Sequence, residues 1–151
     1  MRVLSGRQPW WWAIMSAHKR IENRRWNTAY RGPILLHAAK GCTRDEYTDA
    51  LNWMIDADVL GCVVCPKLED LQRGGIVGRA RIVDVIPPGT QLPFNKPPGV
   101  DMRWHMPEQF GFVLEDVEPL PFFPCKGALG LFSPTPEMLA HATSSGGSEA
   151  K

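Results

Sequence analysis

Short stretches in which apolar and polar residues alternate occur along most of the chain, and this pattern is typical of β-strands. Strands are predicted over residues 2–5, 19–26, 34–39, 75–86, 110–117 and 126–132. The stretch 75–86 has the longest alternation, with isoleucines and an alanine on one side and two arginines on the other. No strand–helix alternation recurs, which argues against a doubly wound sheet. The pattern predicts an α+β fold built on a small mixed or antiparallel barrel.

Two segments have the apolar spacing of helices. Pro9 is tolerated at the first position of a helix, and residues 10–17 after it provide about two turns. Thr43 and Glu46 have the spacing of a capping box, in which each side chain binds the free backbone N–H of the other residue. Apolar residues with helical spacing follow until Gly61, so a second helix is predicted after Thr43.

Two other segments lack a regular pattern. The proline-rich connection 87–109 is too long for an ordinary loop in a compact domain, so it is a lid, a binding loop or a mobile segment. Residues 133–151 are small and polar, and we expect them to be frayed. The predicted organisation is one domain over residues 1–132, followed by a flexible tail over residues 133–151.

The composition is that of a single soluble globular domain. The chain has 151 residues, of which 44% are hydrophobic and 22% are charged, and this excludes disordered, collagen-like and coiled-coil chains. No apolar stretch approaches the roughly 18–20 residues of a membrane span, and the first residues lack the pattern of a signal peptide. We therefore expect a cytoplasmic protein with no membrane contact, whose four cysteines are reduced.

The net charge of +1 conceals an uneven distribution along the chain. Residues 1–44 contain nine basic side chains and one acidic side chain, which gives a net charge of +8, while the remainder has a net charge of −7. The same segment contains four of the six tryptophans. A basic segment that stays together in space indicates a surface that binds a polyanion. The alternative is that folding intermixes the two parts and leaves no basic patch.

Residues 19–26 carry the candidate chemistry. As a strand, they place Glu22, Arg24 and Trp26 on one face and Arg25 on the other. Lys19 and Glu22 allow three interpretations: a ligand-binding pair, a structural ion-pair network that closes the barrel, or a catalytic pair with Lys19 as base or nucleophile. Arg24 suits two-point binding of a phosphate, or a clamp on Glu22.

The tryptophans are candidates for stacking on a nucleobase. On a helix, Trp10, Trp11 and Trp12 point about 100° apart, so they cannot all enter one core. Base stacking on an indole ring contributes about 1–3 kcal/mol and requires little sequence specificity. Trp26 and Trp104 are the preferred stacking candidates, because arginines and a predicted mobile loop surround them.

The cysteines are candidate metal ligands or nucleophiles. Cys62 and Cys65 have the spacing of zinc ligands, which Cys42, Cys125 or His37 could complete. Only one such pair exists, and the two valines between its cysteines favour buried, inert thiols. No serine or cysteine lies in a recognisable nucleophile elbow. We therefore expect neither a metal nor a cofactor.

Several motifs together resemble the ASCH domain family, a branch of the PUA-like β-barrels. The first three are Gln8-Pro9-Trp10, Lys19-x-x-Glu22-x-Arg24-x-Trp26 and Tyr30-Arg31-Gly32-Pro33-Ile34-Leu35-Leu36-His37-Ala38. The later ones are Gly75-Ile76-Val77-Gly78, Phe110-Gly111-Phe112-Val113-Leu114 and Gly127-Ala128-Leu129-Gly130-Leu131-Phe132. Each motif is short, and their order and spacing make the resemblance specific. It covers residues 2–132.

The resemblance implies a barrel of five or six mostly antiparallel strands with two or three flanking helices. It also implies a cleft beside the first helix and the strand 19–26. Members of this group are linked to RNA or DNA binding, and some to ribonuclease activity or hydrolysis of N4-acetylcytidine. Two features depart from the family. Ala17-His18-Lys19 replaces the usual Gly-x-Lys, and Glu22 replaces the threonine of the acetylcytidine hydrolases.

These observations favour a domain that binds nucleic acid or a nucleotide, with RNA as the favoured partner. The predicted binding residues are Gln8, Trp10, Lys19, Glu22, Arg24, Arg25, Trp26, Arg31 and Trp104, and the candidate catalytic residues are Lys19 and Glu22. One alternative is a hydrolase acting at the same cleft, either an N4-acetylcytidine amidohydrolase or a ribonuclease. Another is an adaptor that binds proteins through exposed tryptophans. The sequence leaves the oligomeric state open.

Overall fold

The computed structural model describes residues 1–90 and 99–147, and it has the predicted α+β class. In chain order the main elements are β1 (Arg2–Gly6), α1 (Trp10–Ser16), β2 (Ile21–Arg24), β3 (Gly32–Ala38), α2 (Arg44–Asp56), β4 (Gly75–Ile86), β5 (Phe110–Pro124), β6 (Leu131–Phe132) and α3 (Pro136–Gly147). Single turns of 3-10 helix occur at Leu68–Asp70 and Met102–Trp104.

The six strands form one curled sheet in the order β2-β5-β4-β3-β1-β6. Only β1 and β3 pair in parallel, and the other neighbours are antiparallel. The sheet curls into a half-barrel, as predicted for a small PUA-like barrel. Register shifts between β4 and its two neighbours accompany this curl, since bulges bend and twist strands. Its two edge strands are β2 and β6.

Strand β4 spans the predicted residues and has the predicted faces. Ile76, Ala80 and Ile82 are buried in the core. On the opposite side, Arg79 Nε donates to Glu118 Oε2 of β5 at 2.8 Å. Cross-strand pairs of this kind stabilise a sheet modestly, whereas burial of the apolar face supplies most of the free energy of folding. The alternation in the sequence was therefore sufficient to predict this strand.

The capping box predicted for the second helix is present at the start of α2. Glu46 N donates to Thr43 Oγ1 at 3.1 Å, and Thr43 N donates to Glu46 Oε1 at 2.9 Å. The helix ends at Asp56, before the predicted stop at Gly61. Its buried side chains include Ala50 and Met54, which pack on the segment that leads into β5.

Helix α1 lies against the concave side of the sheet and fills much of the main core. Trp11 and Ile14 are fully buried and pack with Leu36 of β3, Ile82 of β4 and Phe112 of β5. The indole N–H of Trp11 also donates to a carbonyl of β3. This contact helps to hold Trp10, the first residue of α1, near the end of β1 and near β2.

Several predicted segments differ from the structure in length or order, among them β5, which has 15 residues rather than the eight predicted. Strand β2 has four residues rather than eight, and β6 has two residues rather than seven. The connection 87–109 was predicted to be a lid, a binding loop or mobile. Its residues 91–98 lie outside the described part, while Met102 and Trp104 are buried in the core at 8% and 2% exposure. Apolar burial thus holds the later part of this connection in place.

The expectation of a frayed segment after residue 132 also differs from the structure. Residues 136–147 form α3, whose Met138 and Ala142 are buried against Val3, Leu35 and Leu120. Two apolar side chains one helical turn apart are enough to attach this helix to the sheet, although most of the segment is small and polar. Among the described residues, no helix is long and apolar enough to cross a membrane.

Replacing Met138 tests whether α3 belongs to the folded domain. Met138→Ala should lower the free energy of unfolding by about 2 kcal/mol or more, because truncating a buried methionine leaves a cavity. Leu139→Ala is the control, since Leu139 is 40% exposed. Urea denaturation of both variants measures the difference. Equal, small losses would show that residues 133–151 behave as the flexible tail predicted from the sequence.

Candidate functional site

A cleft opens where the sheet fails to close into a full barrel. We call it the edge cleft; its volume is about 510 Å³. Glu22 and Arg24 of edge strand β2 line one side of it. Residues 128–130, which precede edge strand β6, line another. The edge cleft also reaches Trp10 at the start of α1. It lies beside the first helix and the strand after it, where the family resemblance implies a cleft.

The Arg24 side chain spans the opening between the two edges. Strand β6 pairs only with Val3 and Leu4 of β1, so it ends before Ser5. At Ser5, β1 pairs with β3 but not with β6. The Arg24 guanidinium reaches this position, and its Nη2 donates to the Ser5 carbonyl at 2.8 Å. A side chain thus replaces the backbone hydrogen bonds that would close the barrel.

Arg24 is part of a buried network of three charged side chains. Lys19 Nζ donates to Glu22 Oε1 at 2.7 Å, and Glu22 Oε2 accepts from Arg24 Nε at 3.1 Å. Lys19 is 1% exposed and Glu22 is 7% exposed. Burial lowers the pKa of Lys19, while the negative charge and hydrogen bond of Glu22 oppose this effect. The network has the form of the predicted ion-pair closure, and two of its members also line the edge cleft.

The turn before Lys19 takes the conformation that the family's glycine would provide. His18 has a φ of 59°, in the left-handed region, and its side chain is exposed. The backbone N–H of Lys19 then donates to the Ala13 carbonyl at 3.1 Å. A non-glycine residue in this region costs roughly 1–2 kcal/mol. The departure from Gly-x-Lys therefore costs stability but leaves Lys19 in position.

A smaller cavity of about 230 Å³ gives access to the buried lysine. Trp10, Lys19 and Glu22 line it, together with Met106 and Gln109 from the segment before β5. The ring centroid of Trp10 lies 5.4 Å from Lys19 Nζ, within the range of a cation–π contact. The lysine is therefore held between one carboxylate and one aromatic face, both of which favour the charged ammonium, whereas burial favours the neutral amine.

The three consecutive tryptophans point in different directions, as the helical geometry predicted. Trp10 is half-buried and lines the edge cleft, and Trp11 is fully buried in the core. Trp12 is half-buried and lines a separate cavity on another face of the molecule. Only Trp10 of this group faces the candidate site.

The two preferred stacking candidates have different surroundings. Trp26 is half-buried, lines the edge cleft and contacts the Phe112 ring at 5.2 Å between centroids. Trp104 is 2% exposed and stacks on Trp53 at 6.3 Å, so it is not accessible for base stacking in this structure. Trp53 in turn contacts the edge of Trp10 at 5.7 Å. Trp104 therefore supports Trp10 indirectly, through Trp53.

Two other predicted binding residues lie outside the edge cleft. Gln8 is 4% exposed; its amide donates to the Gln72 carbonyl at 2.9 Å and accepts from Trp12 N at 2.9 Å. This side chain thus caps α1 and ties it to the segment before β4. Arg31 is exposed and donates to the carbonyls of Thr28 and Tyr30 in its own loop.

The basic N-terminal segment is partly gathered at the edge cleft. Arg7, Arg24 and Arg25 line the cleft. Arg7 also pairs with Glu46 of α2 at 3.0 Å, whereas Arg25 is exposed. Other basic side chains of the segment are distributed over the rest of the molecule, among them Arg2, Arg20, Arg31 and Arg44. Of the nine basic side chains in this segment, three therefore line the edge cleft.

Sequence reasoning missed the residue that attaches the long connection to β2. Asn23 donates from Nδ2 to the Trp104 carbonyl at 2.9 Å and accepts from Met106 N at 2.9 Å. These two bonds hold Met106 and Gln109 beside Lys19. The alternation of β2 placed Asn23 on the face opposite Glu22, but its partners are more than 80 positions away, so no local pattern identified it.

The four cysteines do not converge on a metal site. Within residues 1–90 and 99–147, no three histidine, cysteine, aspartate or glutamate side chains are close enough to bind a metal ion. Burial raises the pKa of the Cys42 and Cys65 thiols, which favours their protonated form. The expectation that the pair 62/65 is buried was wrong for Cys62, which is exposed next to Val64 at 85% exposure.

Removing the Glu22 charge should destabilise the protein and change how its stability depends on pH. At neutral pH, Glu22→Gln leaves the Lys19 ammonium without its carboxylate, and we expect a loss of about 3 kcal/mol. Because burial lowers the folded-state pKa of Lys19, the unfolded chain binds more protons between that pKa and the ordinary value of 10.5. Stability therefore rises with pH across this window.

In Glu22→Gln, the pH range over which stability rises should extend to lower pH, because Glu22 raises the pKa of Lys19 in the wild type. The loss relative to wild type should shrink as the pH rises from about 7 to about 10. Urea denaturation along this pH range measures it. The control is the double variant Lys19→Met/Glu22→Gln, which removes both charges and should lose less free energy. A loss in Glu22→Gln that is independent of pH would contradict the role assigned to Lys19.

Comparison with known proteins agrees with the motifs and the fold. The family model of the ASCH domain matches residues 4–121, a range that runs from β1 into β5 and includes the edge cleft on the β2 side. No curated protein matches the chain. The ASCH domain is a PUA-like family in which RNA binding is common. Because the match covers most of the chain and the curled six-stranded sheet has the corresponding architecture, this protein belongs to the ASCH domain family.

Proposed function

We propose that this protein binds single-stranded nucleic acid or a nucleotide in the edge cleft, with RNA as the favoured partner. One observation carries the proposal: a single cavity of about 510 Å³ is lined by two tryptophans, three arginines and the buried carboxylate of Glu22. Its volume lies within the range of about 300–1,000 Å³ typical of small-molecule sites. Aromatic faces, cationic side chains and fixed hydrogen-bonding groups are the three components of nucleotide recognition.

The base would lie between the aromatic residues of the cleft. Trp10 and Trp26 are both half-buried, so each ring has a supported side and an accessible side. Trp53 and Phe112 contact these rings from within the protein. Bases in a duplex are already stacked on each other, and therefore an unpaired or flipped base fits this site better than a paired one.

The phosphate would be bound by arginines at the rim. Arg25 is exposed at the cleft, and Arg24 is 20% exposed while its guanidinium is also held by Glu22 and Ser5. Arg24 is thus fixed in orientation, whereas Arg25 can adapt to the ligand. The backbone contact predicted for Arg31 stays a prediction, because its side chain is not among those that line the cleft.

Binding of labelled single-stranded RNA at two ionic strengths tests this proposal. Affinity should fall steeply as the salt concentration rises. Each phosphate contact should contribute about −0.7 to the slope of log K against the logarithm of the salt concentration. Arg25→Gln should weaken binding about fivefold in 0.1 M salt and reduce the slope by about 0.7. Arg81→Gln is the matched control, since Arg81 is exposed on β4, away from the cleft. Absent or salt-independent binding by the wild type would overturn the proposal.

A second candidate function is hydrolysis at the same site, and the buried lysine favours it. Lys19 borders a cavity of about 230 Å³, and burial lowers its pKa towards the range useful for a general base. In amide hydrolysis of an N4-acylated cytidine, water would attack the acyl carbonyl and transfer a proton to Lys19 or Glu22. The carbon–N4 bond would then break as N4 takes up that proton, which yields a carboxylic acid and cytidine.

Incubation with N4-acetylcytidine, or with RNA for ribonuclease activity, separates catalysis from binding. If Lys19 is the base, Lys19→Met should lower turnover at least a hundredfold, in line with the roughly 10²–10⁴-fold contribution of general bases. Met retains the length and apolar stem of lysine, and a thermal unfolding curve confirms that the variant is folded. Equal turnover in Lys19→Met and wild type would discard this mechanism.

A further inference from the structure

A second and larger cavity lies next to the end of β1. Its volume is about 850 Å³, and its lining includes Ser5, His37, Lys40 and Lys126. We call it the lysine cavity. None of its charged residues belongs to the edge cleft or to the proposed chemistry there.

The lysine cavity adjoins the edge cleft directly. The residues that line both are Ser5, Ala39, Ala128 and Leu129. Leu129 stands at this boundary with 97% of its surface exposed, an unusual exposure for a leucine side chain. A ligand that extends out of the edge cleft along the 128–129 loop would enter the lysine cavity without crossing any other part of the molecule.

The floor of the lysine cavity is rigid and polar. His37 Nε2 lies 2.8 Å from the Cys125 carbonyl, which can only accept, so this nitrogen donates. His37 Nδ1 lies 2.8 Å from the Ser5 hydroxyl. The backbone of Gly127 passes so close that a Cβ there would be 2.6 Å from the His37 ring and 2.8 Å from Ser5 Oγ. The absence of a side chain at Gly127 lets its loop pack directly against this floor.

Two lysines give the cavity an uncompensated positive charge. Lys40 and Lys126 are both exposed. Within the described part of the chain, neither forms an ion pair, in contrast to Arg7 and Arg44, which contact glutamates. Among residues 1–90 and 99–147, no acidic side chain lines the cavity. Two ammonium groups without carboxylate partners form a site for an anionic group such as a phosphate.

We propose that the lysine cavity binds the nucleotide next to the one in the edge cleft. The ligand is then a single-stranded nucleic acid of two or more nucleotides, and a free nucleoside fills only part of the site. This inference rests on the proposed function, since it takes the edge cleft as the first nucleotide site. Lys40 and Lys126 bind the adjoining phosphates, and the Leu129 side chain contacts the strand where it passes from one cavity to the other.

Calorimetric titration with ligands of two lengths tests the inference. The probes are the four nucleoside monophosphates and the matching single-stranded homotetranucleotides, as RNA and as DNA. For the tetranucleotides, Lys40→Gln/Lys126→Gln should weaken binding about 25-fold in 0.1 M salt and reduce the salt slope by about 1.4. Affinity for the monophosphates should be unchanged. The control Lys67→Gln/Arg81→Gln removes two exposed positive charges distant from both cavities.

The outcomes separate this inference from the proposed function. Loss of tetranucleotide affinity alone supports the lysine cavity as a second nucleotide site, and the RNA and DNA series then show which sugar it accepts. Wild-type binding of both lengths with equal affinity, unaffected by the lysine substitutions, overturns the inference and leaves the proposed function intact. If the lysine substitutions weaken the binding of monophosphates and tetranucleotides equally, the inference is also overturned, because the lysines then act only through the overall electrostatic field of the protein. Failure of the wild type to bind any probe removes both proposals.

Discussion

The hydrogen bonds of Arg24 connect strand β2 to strand β1 across the open side of the half-barrel. These strands lie at and near opposite edges of the sheet, and no backbone hydrogen bond joins them. The guanidinium donates to the Ser5 carbonyl on one side and to Glu22 on the other. A side chain of this length leaves a space that direct strand pairing would have filled. The edge cleft is that space, so the same interaction closes the fold and creates the candidate site.

The burial of Lys19 requires that other groups of this site compensate its charge. An ammonium group that is 1% exposed is tolerated because Glu22 and the Trp10 ring contact it. Glu22 is in turn held by Arg24. One carboxylate therefore compensates two cations, which leaves a surplus of positive charge beside the cleft. An anionic ligand is favoured by this surplus, and the buried amine provides a group that can exchange a proton.

Aromatic packing positions the exposed part of the cleft. Trp104 and Trp53 form a stack in the core, and Trp53 contacts the edge of Trp10. Asn23 fixes the same region by binding the backbone on both sides of His105. The long connection before β5 thus acts as a support for Trp10 rather than as a covering loop in its described part. Gln109 at the end of this connection and the 128–129 loop both line the edge cleft.

The local sequence pattern was sufficient to predict the features that depend only on residues close together in the sequence. The capping box at Thr43, the alternation of β4, and the shared face of Glu22, Arg24 and Trp26 depend on spacing alone, and the structure has each of them. The family motifs likewise predicted the curled, mostly antiparallel sheet. Helical geometry also predicted that three consecutive tryptophans must diverge, although it did not indicate which of them lines a cleft.

Tertiary structure alone decided the burial of Trp104, the docking of α3 and the pairing of distant residues. Trp104 follows a proline-rich stretch for which the sequence predicted a lid, a binding loop or a mobile segment. Its side chain is nevertheless 2% exposed, because burial removes the apolar surface of the indole from water. Met138 attaches a largely polar segment to the sheet for the same reason. The junction of the two cavities depends on β1 and the loop before β6, which are far apart in sequence. Contacts over such separations depend on the path of the whole chain, and no window of neighbouring residues contains that information.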